Sequence, residues 1–469
     1  MKRHASWIAL GLLTGIALAW RVMAAIAIEF PSVDGVNYMT VARTLVRDGH
    51  LQFSTFPPGW PLLMSVPLFF LGAADGADVL HAAQIANVVF GTLAVPLVFV
   101  FLRHGFGAWT ALAGATAIAL LPDNVILSSL DLSEMSYLAV FVVAWILWHR
   151  ERWWASGLVF GLAYLVRPEA LIVFGVLCAV DTLGTRRLRW RPLAAALPFV
   201  IAYVVFVHGA TGEWTLSGKT AFLDPVARAE GSAITRWLTN AATLLAGLPT
   251  VVGWPVALVA AWGAARRRGI ELAAFLPLLL LPVFTFRMEA RYWIPLVPFV
   301  LWFATAGAQD LLSRVDDARR RLARVAVAVV LFVGFCVAAA PELDDVGLNH
   351  EAFSGLREAG RWIAENSDPD DVVVGYKPYA AFWAGRPYAK LPRRDTALET
   401  VDRIRELGHE WLVINVFLTR SVTPQLQALV TPDALDSRLA QRVELVHIVR
   451  MENDLRQTTA IYRVHPFGR

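Results

Sequence analysis

Charged residues make up only 17% of the 469-residue chain, and cysteine occurs twice. A water-soluble domain carries about 25% charge, so a string of soluble domains is excluded. Cys178 and Cys336 each sit inside an apolar run, which leaves no disulfide framework. The ten histidines are scattered without HxxxH or HExxH spacing, so they build no metal site. No glycine-rich phosphate loop follows a strand-like run, which disfavours a nucleotide-driven transporter. There is no GxSxG elbow, which disfavours a membrane serine hydrolase.

Apolar surface is what the chain has in excess. Hydrophobic residues reach 57% and the mean hydropathy is +0.53. Stretches able to cross about 30 Å of hydrocarbon are expected at 6–28, 79–102, 108–122, 135–149, 154–166, 169–183, 193–208, 246–265, 270–286, 291–309 and 322–340. The first starts with Lys2 and Arg3 but lacks a small-residue cleavage site and runs past Arg21, so it reads as a retained anchor.

Charge placement sets the expected orientation. Residues 342–469 hold 16 Lys+Arg against 19 Asp+Glu, whereas the first 341 hold 26 against 19. With the N-terminus inside and 29–78 read as an outer-face excursion, 17 of those 26 basic residues fall on the inner side. Pro57, Pro58, Pro61 and Pro67 support a broken, surface-lying helix there. The basic excess thus belongs to inner loops at a lipid bilayer, and no nucleic-acid partner is implied. The expected fold is a polytopic α-helical membrane protein of about eleven transmembrane helices over 1–341. A soluble α/β domain over 342–469 would lie outside the cytoplasm. Its expected elements are an amphipathic helix at 351–366, a strand at 372–374, a helix–strand pair over 398–417, and a hairpin from 442–450 and 458–464.

This topology sorts the ionisable residues of the membrane part onto one side. Asp34, Asp131, Glu134, Arg167, Glu169, Lys219, Arg287, Glu289 and Arg291 all fall in outer connections. Charges at membrane depth are costly, so they pair, bind an ion or line a wet cavity. Four loops with mixed charge at one level suggest one shared site. Asp34 is the candidate general base, with helix capping as its bland alternative. Asp131 and Glu134, spaced i,i+3, are candidates to ligate a divalent cation or meet a substrate; capping is again the alternative. Arg167 suits a phosphate or a snorkelling role, and Arg287, Glu289 and Arg291 could simply pair among themselves.

Four segments then resemble the GT-C group of integral membrane glycosyltransferases. That group includes dolichyl-phosphate-mannose protein mannosyltransferases and the aminoarabinose transferase of lipid A. The first is Asp34-Gly35-x-x-Tyr38 followed by Phe56-Pro57-Pro58-Gly59-Trp60-Pro61. The others are Leu132-Ser133-Glu134-Met135, Leu165-Val166-Arg167-Pro168-Glu169 and Glu289-Ala290-Arg291-Tyr292-Trp293-Ile294-Pro295. The tail segment Tyr376-Lys377-Pro378-Tyr379-Ala380 also looks like the group's outer domain. The resemblance implies inverting transfer of a sugar from a polyprenyl-phosphate donor to an extracytoplasmic protein, lipid or glycan acceptor, at the inner (plasma) membrane. It implies Asp34 as catalytic base, and Glu134 with Asp131 near the acceptor or metal. Arg167, Arg291, Lys219 and Arg287 are implied on the donor phosphate, with no nucleotide. A divalent cation (Mg, Mn or Zn), held by Glu134, would be the cofactor. Some relatives place a lysine before the Pro-Pro segment, where this chain has Phe56, so Lys219 or Arg287 is expected to supply that charge. The competing class is a transporter or flippase for a lipid-linked glycan or other amphiphile. It predicts related halves or matched broken spans, which the sequence does not display.

Overall fold

A computed structural model describes residues 2–72, 76–218, 233–267, 269–284, 290–315, 353–392, 394–430, 435–450 and 457–466. Lys219, Arg287, Glu289 and the apolar stretch 322–340 lie outside the described residues.

The described residues of the N-terminal two thirds are mostly helical. In chain order the first ten helices are α1 (Lys2–Ala27), α2 (Val33–Asp48), α3 (Gly59–Leu71), α4 (Gly76–Gly105), α5 (Ala108–Leu120), α6 (Pro122–Leu127), α7 (Glu134–His149), α8 (Trp153–Val166), α9 (Glu169–Thr185) and α10 (Trp190–Thr211). Among the described residues, His4–Ala27, Gly76–Gly105, Trp190–Thr211 and Arg291–Ser313 are long and apolar enough to cross a membrane. Several expected spans are shorter apolar helices of 10–17 residues, namely α5, α7, α8 and Ile270–Leu280. The expected span 246–265 is two helices, Ala233–Val252 and Trp254–Arg266. They break at Gly253, whose φ of 82° no β-carbon-bearing residue adopts cheaply, and Pro255 restarts the helix at its second position.

Arg21 shows how a charge is held inside α1. Its side chain is fully buried and donates to Ser128 Oγ at 3.0 Å, to the Ala119 carbonyl at 3.2 Å and to the Ile118 carbonyl at 3.1 Å. The freed carbonyls at the end of α5 thus become its partners, as a buried charge requires.

Among the described residues, the tail forms a five-stranded sheet in the order β2-β1-β3-β5-β4. The strands are β1 (Val373–Gly375), β2 (Tyr388–Lys390), β3 (Trp411–Asn415), β4 (Val443–Val449) and β5 (Thr459–Val464). β1 runs parallel to both β2 and β3, whereas β5 is antiparallel to β3 and β4. The helix Ser354–Asn366 and the short helix Tyr379–Ala384 pack on each other. One sheet face belongs to the same hydrophobic core as the helical bundle, through Leu356, Ile363, Val373 and Tyr379. The other face has its own small core around Val374, Leu412 and Tyr462. Tyr379–Ala384 also touches α2 and the start of α4, and Arg357 pairs with Glu29 at 3.0 Å. The sheet is therefore seated on the end of the bundle that carries the α1–α2 connection.

Candidate active site

The site begins with the α6–α7 connection. Asn87, fully buried on α4, donates its amide to the carbonyls of Leu130 and Leu132, both at 2.6 Å. The Trp60 indole donates to the Asp131 carbonyl at 2.9 Å. Held from two sides, Asp131 turns its buried carboxylate to the backbone N–H of Ser32, which it accepts at 3.1 and 2.9 Å. Burial pushes the Asp131 carboxyl up to about 7, and the hydrogen bonds from Ser32 oppose that shift. A side chain at Gly35 would overlap the Asp131 carboxylate, so α2 can dock here only through a glycine.

Ser32 is the N-cap of α2, and its hydroxyl accepts the Gly35 N–H at 2.9 Å. The capping alternatives for the acids therefore do not hold. Asp34 lies inside the first turn of α2. Ser133 occupies the N-cap position of α7 without a side-chain cap bond, and Asp131 serves α2 instead. Asp34 is left facing out of its helix, one-third exposed, with its Oδ2 accepting from Arg291 Nη2 at 2.7 Å.

Arg167 ends α8 in extended backbone, and Pro168 then starts α9. Its guanidinium is buried, donating to Glu134 Oε1 at 3.0 Å and Glu169 Oε1 at 3.3 Å. Burial lowers the Arg167 guanidinium, but the facing Glu169 and Glu134 outweigh that and hold it well above its ordinary value. Arg291 Nε approaches the same Glu134 Oε1 at 3.7 Å. Glu134, 2% exposed, thus bridges the two arginines and fixes their spacing. Tyr137 and Tyr292 flank Arg167 as ring faces at 5.7 and 5.5 Å. Gly59 of the Pro-Pro-Gly-Trp segment packs on the Leu165–Val166 backbone, tying that segment to the arginine turn. Asp34, Asp131, Glu134, Arg167, Glu169 and Arg291, drawn from four connections, form one cluster.

The sheet adds groups for which the sequence reading named no site role. Lys377 follows β1 and Tyr379 opens the next helix. Burial lowers the Lys377 ammonium, and the field of Asp34 opposes that shift. Burial raises the Tyr379 phenol, and Asp131 and Asp34 add to it. Both side chains therefore sit within the electrostatic reach of the acidic cluster.

The donor set does not suit a divalent cation held by Glu134. Among the described residues no group of three or more His, Cys, Asp or Glu is arranged to hold a metal ion. The site carboxylates instead face guanidinium or backbone N–H groups. A cation at Glu134 would stand against two arginines.

A sequence profile described as predicted membrane protein (DUF2079) matches residues 79–442. No curated protein sequence matches the chain. Among solved structures, ArnT from Cupriavidus metallidurans in the apo state superposes with a TM-score of 0.65 at 14% identity, over 98% of each chain. The same protein bound to undecaprenyl phosphate gives 0.62 at 14% identity, over 97% of this chain and 98% of that one. The oligosaccharyltransferase AglB from Archaeoglobus fulgidus, with an inhibitory peptide and a dolichol-phosphate, gives 0.58 at 13% identity, over 89% of this chain and 70% of that one. At such identities the likeness is one of fold: the chain shares the fold of ArnT and AglB.

Proposed function

The chain belongs to the family of predicted membrane proteins called DUF2079, and we propose that it transfers a sugar from a polyprenyl-phosphate donor to an acceptor outside the cytoplasm. The observation that carries this reading is the Asp34–Arg291–Glu134–Arg167 chain of ion pairs in a fold shared with ArnT bound to undecaprenyl phosphate and AglB in complex with a dolichol-phosphate. In this reading Asp34 removes the proton from the acceptor's attacking group. The acceptor forms a bond to the anomeric carbon from the face opposite the phosphate, which inverts that centre, and the sugar–oxygen bond to phosphate breaks. Each guanidinium is a planar fork of five N–H donors, a geometry that lets Arg167 and Arg291 serve a carboxylate and the departing phosphate together. Stabilising charge as it develops on the leaving group is the largest catalytic effect such a site can supply. Lys219 or Arg287 is the further cation expected from the sequence. Glu134 acts by positioning the two arginines, and Asp131 by fixing the N-terminus of α2.

The test incubates purified protein with lipid-linked sugars extracted from the native membrane. Transfer predicts release of polyprenyl phosphate matched by sugar on an acceptor. Movement of intact lipid-linked sugar across a vesicle, with no phosphate released, would favour a flippase instead.

A further inference from the structure

Counted over the described residues, the cluster carries more negative than positive charge. Asp34, Glu134 and Glu169 face Arg167 and Arg291, with Asp131 buried alongside. An incoming phosphate would meet net repulsion unless another cation joined the site. The chain has four lysines in all, Lys2, Lys219, Lys377 and Lys390, and two of them stand at one edge of the sheet. Lys390 ends β2 in register with Gly375, the last residue of β1, and Lys377 follows two residues later. This is the carboxyl edge of the parallel strands. Because β1 connects forward to β2 on one side while β3 lies on the other, it is also the point where an α/β sheet opens a crevice for ligands.

The edge is aimed at the membrane cluster by fixed contacts. The Tyr388 hydroxyl donates to the carbonyls of Gly375 at 3.1 Å and Tyr376 at 3.3 Å, which pins the turn carrying Lys377. Immediately after it, the helix Tyr379–Ala384 packs on α2, and the Arg43 guanidinium of α2 lies against Gly385. Lys377 is half-buried, forms no ion pair among the described residues, and rests its ammonium 5.6 Å from the Tyr376 ring. A lysine is a compact point charge on a flexible stem, suited to swinging onto a phosphate.

Resting on the transferase reading above, we propose that Lys377 binds the phosphate of the polyprenyl donor, so that the soluble domain completes the membrane site. Lys377 contacts the ligand directly, together with the two arginines, and Lys390 adds to the attracting field without touching it.

The experiment measures binding of undecaprenyl phosphate and of undecaprenol by the full chain in nanodiscs, for wild type, Lys377→Ala and Lys377→Arg matched by thermal melting. Wild type should prefer the phosphorylated lipid. Lys377→Ala should bind it about tenfold more weakly, the scale of one lost charge-assisted hydrogen bond, with undecaprenol unchanged. Lys377→Arg should recover most of the loss, and in transfer assays the alanine change should raise the donor KM and leave the acceptor KM alone. Equal phosphate preference in Lys377→Ala, or a change confined to the acceptor KM, overturns the proposal. Failure of wild type to distinguish the two lipids instead overturns the donor reading on which it rests.

Discussion

Replacing Asp34 by Asn removes the proposed base while leaving its surroundings nearly intact. The cap of α2 belongs to Ser32, whose hydroxyl holds the Gly35 N–H at 2.9 Å, so no cap is lost. The ion pair with Arg291 is lost, but it is partly exposed, with 31% and 21% of the two side chains open. Such a pair contributes about 0.2–1 kcal/mol. Arg291 keeps Glu134 at 3.7 Å, so it is not stranded. The expected destabilisation is therefore about 1 kcal/mol or less. An amide cannot take the acceptor's proton, so turnover should fall about 10²–10⁴-fold, or about 3–5 kcal/mol on the barrier. Ser32→Ala is the matching control. It should lose about 0.5–2 kcal/mol of stability from the missing cap and keep most of its activity, because Asp131 still holds the Ser32 backbone N–H. The assay is single-turnover transfer from a polyprenyl-phosphate sugar, beside thermal melting of the same samples. Near-normal transfer by Asp34→Asn would rule out Asp34 as the base, since the carboxylate would then be only an ion-pair partner.

Arg167→Ala should destabilise by about 3–5 kcal/mol, because Glu134 is left buried with only the longer Arg291 contact; a melting curve close to wild type would contradict this. Gly35→Ala should disrupt the docking of α2 by driving a methyl group into the Asp131 carboxylate. Protease resistance of the 29–48 segment reads this out, and adding Asp131→Ala should restore part of it. Asp131 gives a pH dependence with a defined sign. Its folded value of about 7 lies above the ordinary aspartate value of 3.8, so the folded state keeps a proton that the unfolded chain releases above about pH 4. Stability from this group falls as pH rises from about 4 to about 7. Between about pH 5 and about pH 8 wild type should therefore lose more in Tm than Asp131→Asn; parallel profiles would remove burial as the cause.

The spans that the sequence shows well are those whose apolar runs end in clear signals. α1, α4, α7 and α8 fall within a few residues of expectation, since caps, arginines and prolines bound them. In the tail, the helix at 397–406 and the β4–β5 pairing follow from periodicity. The expected strand end at Phe417 gives way to a helix from Val416, because Asn415 caps it by accepting the Leu418 N–H at 3.2 Å. Strand β2 and the helix Tyr379–Ala384 are too short for periodicity to reveal. The candidate acids and arginines were legible as types and levels, but not their pairing. Glu134 bridging Arg167 and Arg291 depends on three connections separated by more than 30 residues each, which no local pattern encodes. The same holds for Asp131, whose partner Ser32 lies 99 residues away, and for Lys377, which comes within the field of Asp34 only through the docking of the sheet. The break at Gly253 coincides with Pro249, Gly253 and Pro255, but hydropathy alone runs straight through it.

The most direct test of sugar transfer from a polyprenyl-phosphate donor is mass analysis of lipid-linked sugars in cells from which this protein has been deleted. A polyprenyl-phosphate sugar should accumulate, wild type should clear it, and Asp34→Asn, present at normal levels in the membrane, should not. A deletion strain with an unchanged pool of lipid-linked sugars, or full clearance by the Asn variant, would contradict it.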